Sequence, residues 1–493
     1  MTAQVPNKLI ILDNKKAQFL SEDVSIIKKL HNFLSFKLQN VEYTSAYQNG
    51  WNGITYLMNK KGIFASGLIP KVKQFLIDHE VIFSEQDNRA LISWYPEIDL
   101  SSKLASLEMV PRDYQHEIIE ACLTNRKGIV RACTGAGKTL AIALLTAKLN
   151  KPTIIHVIGL DLLKQFHDLF SSLFDEPIGF IGNGICNIQR INIASIWTIG
   201  RALRIDKKKI VSDDEMSDDE QYDDSQADQI IKMLEKTKLH ILDESHTATT
   251  QTIDAIYKVI DPEHIFGFSG TPFRDDGADL LINGILGEQI INISASRLIK
   301  AGHLAQPIIK FITVPKMGGV DLSSYPSVYK DYVVENETRN NLIVNSVQTL
   351  LEKKYTPLVL FKQIKHGKIL LEMIQNRMIK CEMLYGDDSL DRRTEVKEML
   401  IRKEIDVLLA STIYDLGIDL PILSGLILAG SGKSNIRSLQ RIGRVIRKFP
   451  GKKHAVIVDC FDQIKYLKNH ANARCKTYFS EEGFEVIKCR AMK

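Results

Sequence analysis

Apolar residues recur at helical spacing along residues 21–34, where Val24, Ile27, Leu30 and Leu34 lie three or four positions apart. Short apolar runs at 8–12 and 54–58 read as strands, and the Asn-Lys-Lys-Gly turn at 59–62 followed by 63–65 predicts a hairpin. A helix over 68–79, with Pro70 in its first turn, and a closing strand at 81–84 complete a small α+β unit spanning 1–87. Residues 88–110 read as a linker with one short helix. From 111 onward strand and helix patterns alternate, with strands at 129–130, 153–158, 191–194, 239–242 and 265–269. A second series has strands at 358–361, 381–384, 407–410, 425–428 and 455–458. Such alternation predicts an α/β chain with two doubly wound parallel-sheet lobes, 111–320 and 321–460, followed by a basic tail, 461–493.

A chain of 493 residues is too long for one core, in line with that division. No apolar run approaches the ~20 residues that cross a bilayer, and the N-terminus lacks a signal-peptide pattern, so a cytoplasmic protein is expected. Seven scattered cysteines without a C-x-x-C argue for reduced thiols, not a zinc site or a disulfide framework. The net charge of +5 conceals an asymmetry: residues 213–228 hold nine acids and no Lys or Arg, and without them the rest of the chain stands at +14. That acidic insert, bounded at 206–228, reads as a disordered surface loop. The basic remainder suits a polyanion such as nucleic acid.

The chemistry begins at 132–139, Ala-Cys-Thr-Gly-Ala-Gly-Lys-Thr, between an apolar strand and an alanine-rich helix. Backbone N–H groups around Thr134, Gly135 and Gly137 can cradle phosphate oxygens, and the helix aims its positive end at them. Lys138 supplies a point charge and the Thr139 hydroxyl a ligand for Mg²⁺. Ala132 stands where the usual pattern has glycine. Roughly 100 residues later an apolar strand ends in Asp243-Glu244-Ser245-His246. Asp243 at such a position can hold the Mg²⁺ shell, and Glu244 can polarise the attacking water.

With these residues the chain resembles the superfamily 2 helicases and translocases over about residues 111–450. The resemblance implies two RecA-like lobes that bind ATP and Mg²⁺. Residues 111–115 match the adenine-reading segment, which implies a base contact by Gln115. Residues 194–198 resemble motif Ib, implying that Ser195 and Thr198 touch a nucleic-acid backbone. His246, Ser269 and Thr271 match positions that link ATP state to strand contact. Residues 410–419 resemble motif V, with Thr412 on the strand and Gly417 and Asp419 near the nucleotide. Residues 440–447 match motif VI. Steps of four and three predict Gln440, Arg444 and Arg447 on one helical face, with both arginines as fingers for the γ-phosphate and Gln440 positioning phosphate or water. The motif II sequence Asp-Glu-Ser-His, not Asp-Glu-Ala-Asp, argues mildly against an RNA-specific enzyme.

The N-terminal residues 47–53, the turn behind them and the helix at 68–75 resemble the accessory domain of UvsW-type phage recombination helicases. Phe361-Lys362-Gln363 with His366-Gly367-Lys368, and Arg339-Asn340, point the same way. This implies a monomeric motor for branched DNA (forks, Holliday junctions, R-loops) working with replication or recombination proteins, in the host cytosol if phage-encoded. Trp51, Lys60 and Lys61 are the aromatic and basic residues that could grip DNA, with core aromatics and solvated lysines as the plain alternative. Rival readings are a double-strand translocase of a remodelling or restriction complex, an RNA helicase and an ATP-gated scaffold.

Overall fold

The computed structural model describes residues 7–37, 50, 52–206, 223–244, 250–270, 279–319, 322–386, 388–411, 420–430 and 435–487. The chain divides into two compact units, Met1–Ala132 with Gly137–Asn292, and Ile293–Lys493 with Cys133–Ala136. Among the described residues no helix is long and apolar enough to cross a membrane, and six cysteines form no disulfide.

The first unit opens with β1 (Lys8–Ile11), β2 (Lys16–Leu20), β3 (Ser35–Lys37), β4 (Ile54–Tyr56), β5 (Ile63–Ala65) and β6 (Ser84–Asp87). One sheet has the order β5-β2-β1-β6, while β3 and β4 pair separately. Leu9 and Phe19 face each other across β1 and β2. They join Leu30, Phe64, Leu68, Val72 and Phe75, the last two from the helix Ile69–Asp78, in a buried core. The expected hairpin around 59–62 survives as a single bridge between Met58 and Phe64. The Asn59 side chain accepts from the N–H groups of Lys61 and Ile63, and Gly62, at φ +73°, accepts from the Phe19 N–H. That last bond hands β5 to β2 instead of to β4. The closing strand lies at 84–87, not 81–84; it is a polar edge strand, so apolar alternation does not mark it.

The first lobe adds β7 (Lys127–Ala132), β8 (Thr153–Val157), β9 (Ile178–Gly182), β10 (Ile185–Asn187), β11 (Ile191–Ser195), β12 (Leu239–Asp243), β13 (His264–Ser269) and β14 (Gln289–Ile293). Their order is β10-β9-β11-β8-β12-β13-β7-β14. Strands β8, β11, β12 and β13 are buried along their whole length, as expected for a parallel sheet covered on both faces. Because β12, β13 and β7 are neighbours, the loops leaving their C-terminal ends gather at one edge. Of the acidic insert, 207–222 lie outside the described residues. Residues 223–228 are ordered: Asp223 accepts from the Ser225 N–H, and Asp228 sits in the first turn of the helix Ala227–Lys236, where its charge complements the helix dipole.

The second unit carries β15 (Gln306–Val314), β16 (Pro357–Phe361), β17 (Cys381–Leu384), β18 (Val407–Ser411), β19 (Gly425–Leu428), β20 (His454–Asp462) and β21 (Glu485–Ile487), in the order β17-β18-β16-β19-β20-β15-β21. Strand β15 falls before the predicted boundary at 320, yet it pairs with β20 along its whole length and belongs to this sheet. The tail beyond 461 also completes the lobe: β21 adds to β15, and Arg474 of the helix Leu467–Ser480 donates twice to buried Asp459, at 2.8 Å each. Tyr478 Oη donates to the same carboxylate at 3.1 Å. The tail's buried face includes an arginine and a tyrosine, so no aliphatic stripe announces it. Arg339 is likewise structural, bonded to Asp462 at 3.0 Å and to the Ala429 carbonyl at 2.7 Å.

Candidate nucleotide site

Strand β7 delivers the glycine loop. Gly135 and Gly137 take φ of +87° and +69°, a region that costs other residues strain, and Gly137 caps the helix Lys138–Leu149. The helix buries Ala141, Ile142 and Leu145, which fixes its N-terminus behind the loop. Thr139 stands half-buried in its first turn, and Thr134 lies half-buried in the loop. Gln115 is buried and engaged: its Oε1 accepts from the Arg112 N–H at 2.9 Å, and its Nε2 donates to the Gly137 carbonyl at 3.0 Å. The residue expected to read the base therefore braces the phosphate loop, and a Cβ on Gly137 would lie 2.7 Å from that Nε2.

Lys138 Nζ donates to Glu244 Oε1, an ion pair that brings the loop cation onto the motif II acids. Glu244 holds φ of +48°, uncommon for a residue with a side chain and a form of strain that clusters at functional sites. Asp243 closes β12. Its Oδ1 is buried without a hydrogen-bond partner. Burial pushes its carboxyl up to about 7, against the pull of the Lys138 cation and with a push from Glu244. An orphaned carboxylate oxygen within the field of the Lys138 cation fits an oxygen-ligated divalent cation such as Mg²⁺. Among the described residues no cluster of three or more His, Cys, Asp or Glu could hold a metal alone.

Other expected residues lie elsewhere. Ser195 is buried as the N-cap of the helix Ile196–Ala202, accepting from the Trp197 N–H, and Thr198 is buried within that helix. Neither side chain presents a surface to a strand. Ser269 is buried at the end of β13. Lys60 and Lys61 are exposed in the turn before β5. Trp51, His246, Thr271, Thr412, Gly417 and Asp419 fall outside the described residues. In the second unit the helix Asn435–Val445 carries Gln440 and Arg444. The expected shared helical face stops there, because Arg447 lies beyond the helix in an extended bridge to Leu304. Burial and the nearby Arg447 push Lys452 down to about 8. Arg112, whose backbone orients Gln115, carries no distinctive sequence pattern of its own.

Residues 108–274 match the family described as type III restriction enzyme, res subunit, and residues 341–449 match the helicase conserved C-terminal domain. Helicase 22 of Sulfolobus islandicus filamentous virus is 26% identical over 382 residues, 72% of this chain and 65% of that protein. The ATP-dependent DNA helicase uvsW of Enterobacteria phage T4 is 25% identical over 490 residues, 94% of this chain and 93% of that protein. A structure of S. cerevisiae Dbp5 bound to RNA and ADP BeF3 superimposes with a TM-score of 0.54 at 15% identity, over 81% of this chain and 94% of that one, a likeness of fold.

Proposed function

The chain is a superfamily 2 helicase, an ATP hydrolase, and we propose that it is a DNA motor that unwinds or branch-migrates forks, Holliday junctions and R-loops in phage-type replication, recombination or repair. One observation carries the reading of the site: the Lys138–Glu244 pair with the orphaned Asp243 oxygen beside it. Lys138 and the loop N–H groups would bind the ATP phosphates, with Thr139 and Asp243 holding Mg²⁺. When bound, that ion supplies charge neutralisation at the phosphates. Lys138 then turns from Glu244 to the phosphates, which releases Glu244 to orient water. Arg444 and Arg447 act as fingers and Gln440 assists. The basic chain outside the acidic insert supports a polyanionic track, and the near full-length likeness to the phage DNA helicase supports DNA. The protein acts as a monomer on this reading.

The test is ATP turnover by the purified protein with and without DNA. Single-stranded or forked DNA raises the rate; turnover indifferent to both would remove the motor reading. The match to a restriction res subunit keeps one rival, a double-strand translocase. Displacing a triplex strand without opening forks would favour it.

A further inference from the structure

The lobe that carries the phosphate loop is gripped at its far end by the N-terminal domain. Lys127 opens β7, the strand that ends in that loop. Its Nζ donates to the Asn14 carbonyl at 2.9 Å and to Ser66 Oγ at 2.7 Å, and lies 3.4 Å from Tyr257 Oη. Burial and the neighbouring Arg89 push this lysine down to about 7, with Asp13 pulling the other way. This half-buried lysine is held by those acceptors.

Two further contacts reach two further elements. Tyr257 belongs to the helix Thr250–Val259, which follows the motif II acids. Its Oη donates to the Lys15 carbonyl at 2.8 Å, and Lys15 Nζ donates back to the carbonyls of Tyr257 and Lys258 at 3.2 Å each. That places a cation at the negative end of the helix. The turn Ser66–Leu68 meets the helix Asp279–Leu286, which follows β13 and Ser269. A Cβ on Gly67 would lie 2.2 Å from the Asn283 carbonyl oxygen, and Leu280 packs into the N-terminal core. Lys71 and Glu288 add an ion pair at 3.5 Å.

We infer that the N-terminal domain is geared to the nucleotide site: Lys127 ties it to the strand that ends in the phosphate loop, and Lys15 and Gly67 tie it to the two helices that follow the paired acids and the Ser269 strand end. It moves as one body with that lobe, and DNA held on it is displaced with the lobe in each ATP cycle. Lys127 is thus a positioning residue for unwinding, remote from the chemistry. The displacement of DNA rests on the motor reading above; the gearing does not.

Two full-length variants test it, Lys127→Met, which keeps the stem and removes the donors, and Gly67→Ala, which wedges the contact open. Hydrogen exchange at residues 13–16 and 65–68 is followed with and without ATPγS, together with DNA-free ATPase and fork unwinding per ATP hydrolysed. The nucleotide slows exchange in the parent chain and not in the variants. DNA-free ATPase stays within about twofold while unwinding per ATP falls about tenfold. An identical exchange response in all three proteins, with unwinding per ATP unchanged, overturns the inference. A parent chain that opens no fork removes the motor reading, and the exchange result still decides the gearing.

Discussion

Acid should loosen the lobe that carries the phosphate loop, because its central strands hold histidines that fold only as neutral rings. His156 of β8 is fully buried, with neither ring nitrogen hydrogen-bonded, and burial pushes it from 6.5 down to about 3. His240 of β12 stacks over it at 6.0 Å, and burial, reinforced by His156, holds it well below its ordinary value. A base with a depressed pKa binds fewer protons folded than unfolded. Its stability is therefore complete above pH 6.5 and is lost as pH falls toward 3. At pH 5, which is about 1.5 units below the unfolded imidazole's pKa of 6.5, His156 alone costs about 2 kcal/mol, at about 1.4 kcal/mol per unit. Burial also pushes His264 of β13 down, to about 4, and its contribution has the same sign. The assay is urea unfolding at pH 7.5 and pH 5 for the parent chain and His156→Leu. Whatever the substitution costs at pH 7.5, the variant should lose about 2 kcal/mol less on acidification. Equal losses in the two proteins would refute the reasoning.

Lys138→Ala and Glu244→Gln should each abolish ATP hydrolysis, a fall of about 10³-fold or more, and full turnover by either would unseat the site assignment. Gly137→Ala should weaken nucleotide binding measured by titration, since its Cβ meets the Gln115 amide at 2.7 Å and φ is +69°. Arg339→Met should cost about 3–5 kcal/mol in urea unfolding by stranding the buried Asp462 carboxylate.

Much of the lobe architecture is legible in the sequence because parallel strands buried on both faces read as plain apolar runs, as at β8 and β12. The phosphate loop is legible for a related reason: glycine adopts the positive φ at Gly135 and Gly137 without the strain a side chain would add. Polar cores are not legible in this way. The Arg474–Asp459 and Arg339–Asp462 pairs bury charges that periodicity assigns to the surface, so the tail helix passes for a basic extension. The boundary near 320 fails because β15 follows the first lobe in sequence but takes its partners from β20 and β21. In the site, Gln115 is marked in the sequence only by the resemblance of residues 111–115 to the adenine-reading segment. Its hold on Gly137 depends on a hydrogen bond that spacing cannot reveal.

The central claim is a motor that opens branched DNA, and unwinding of matched-sequence forks, Holliday junctions and R-loops by the purified chain with ATP and Mg²⁺ tests it most directly. ATP-dependent opening of the branched substrates, absent in Glu244→Gln, is the predicted result. ATP turnover that leaves every branched substrate intact would contradict it.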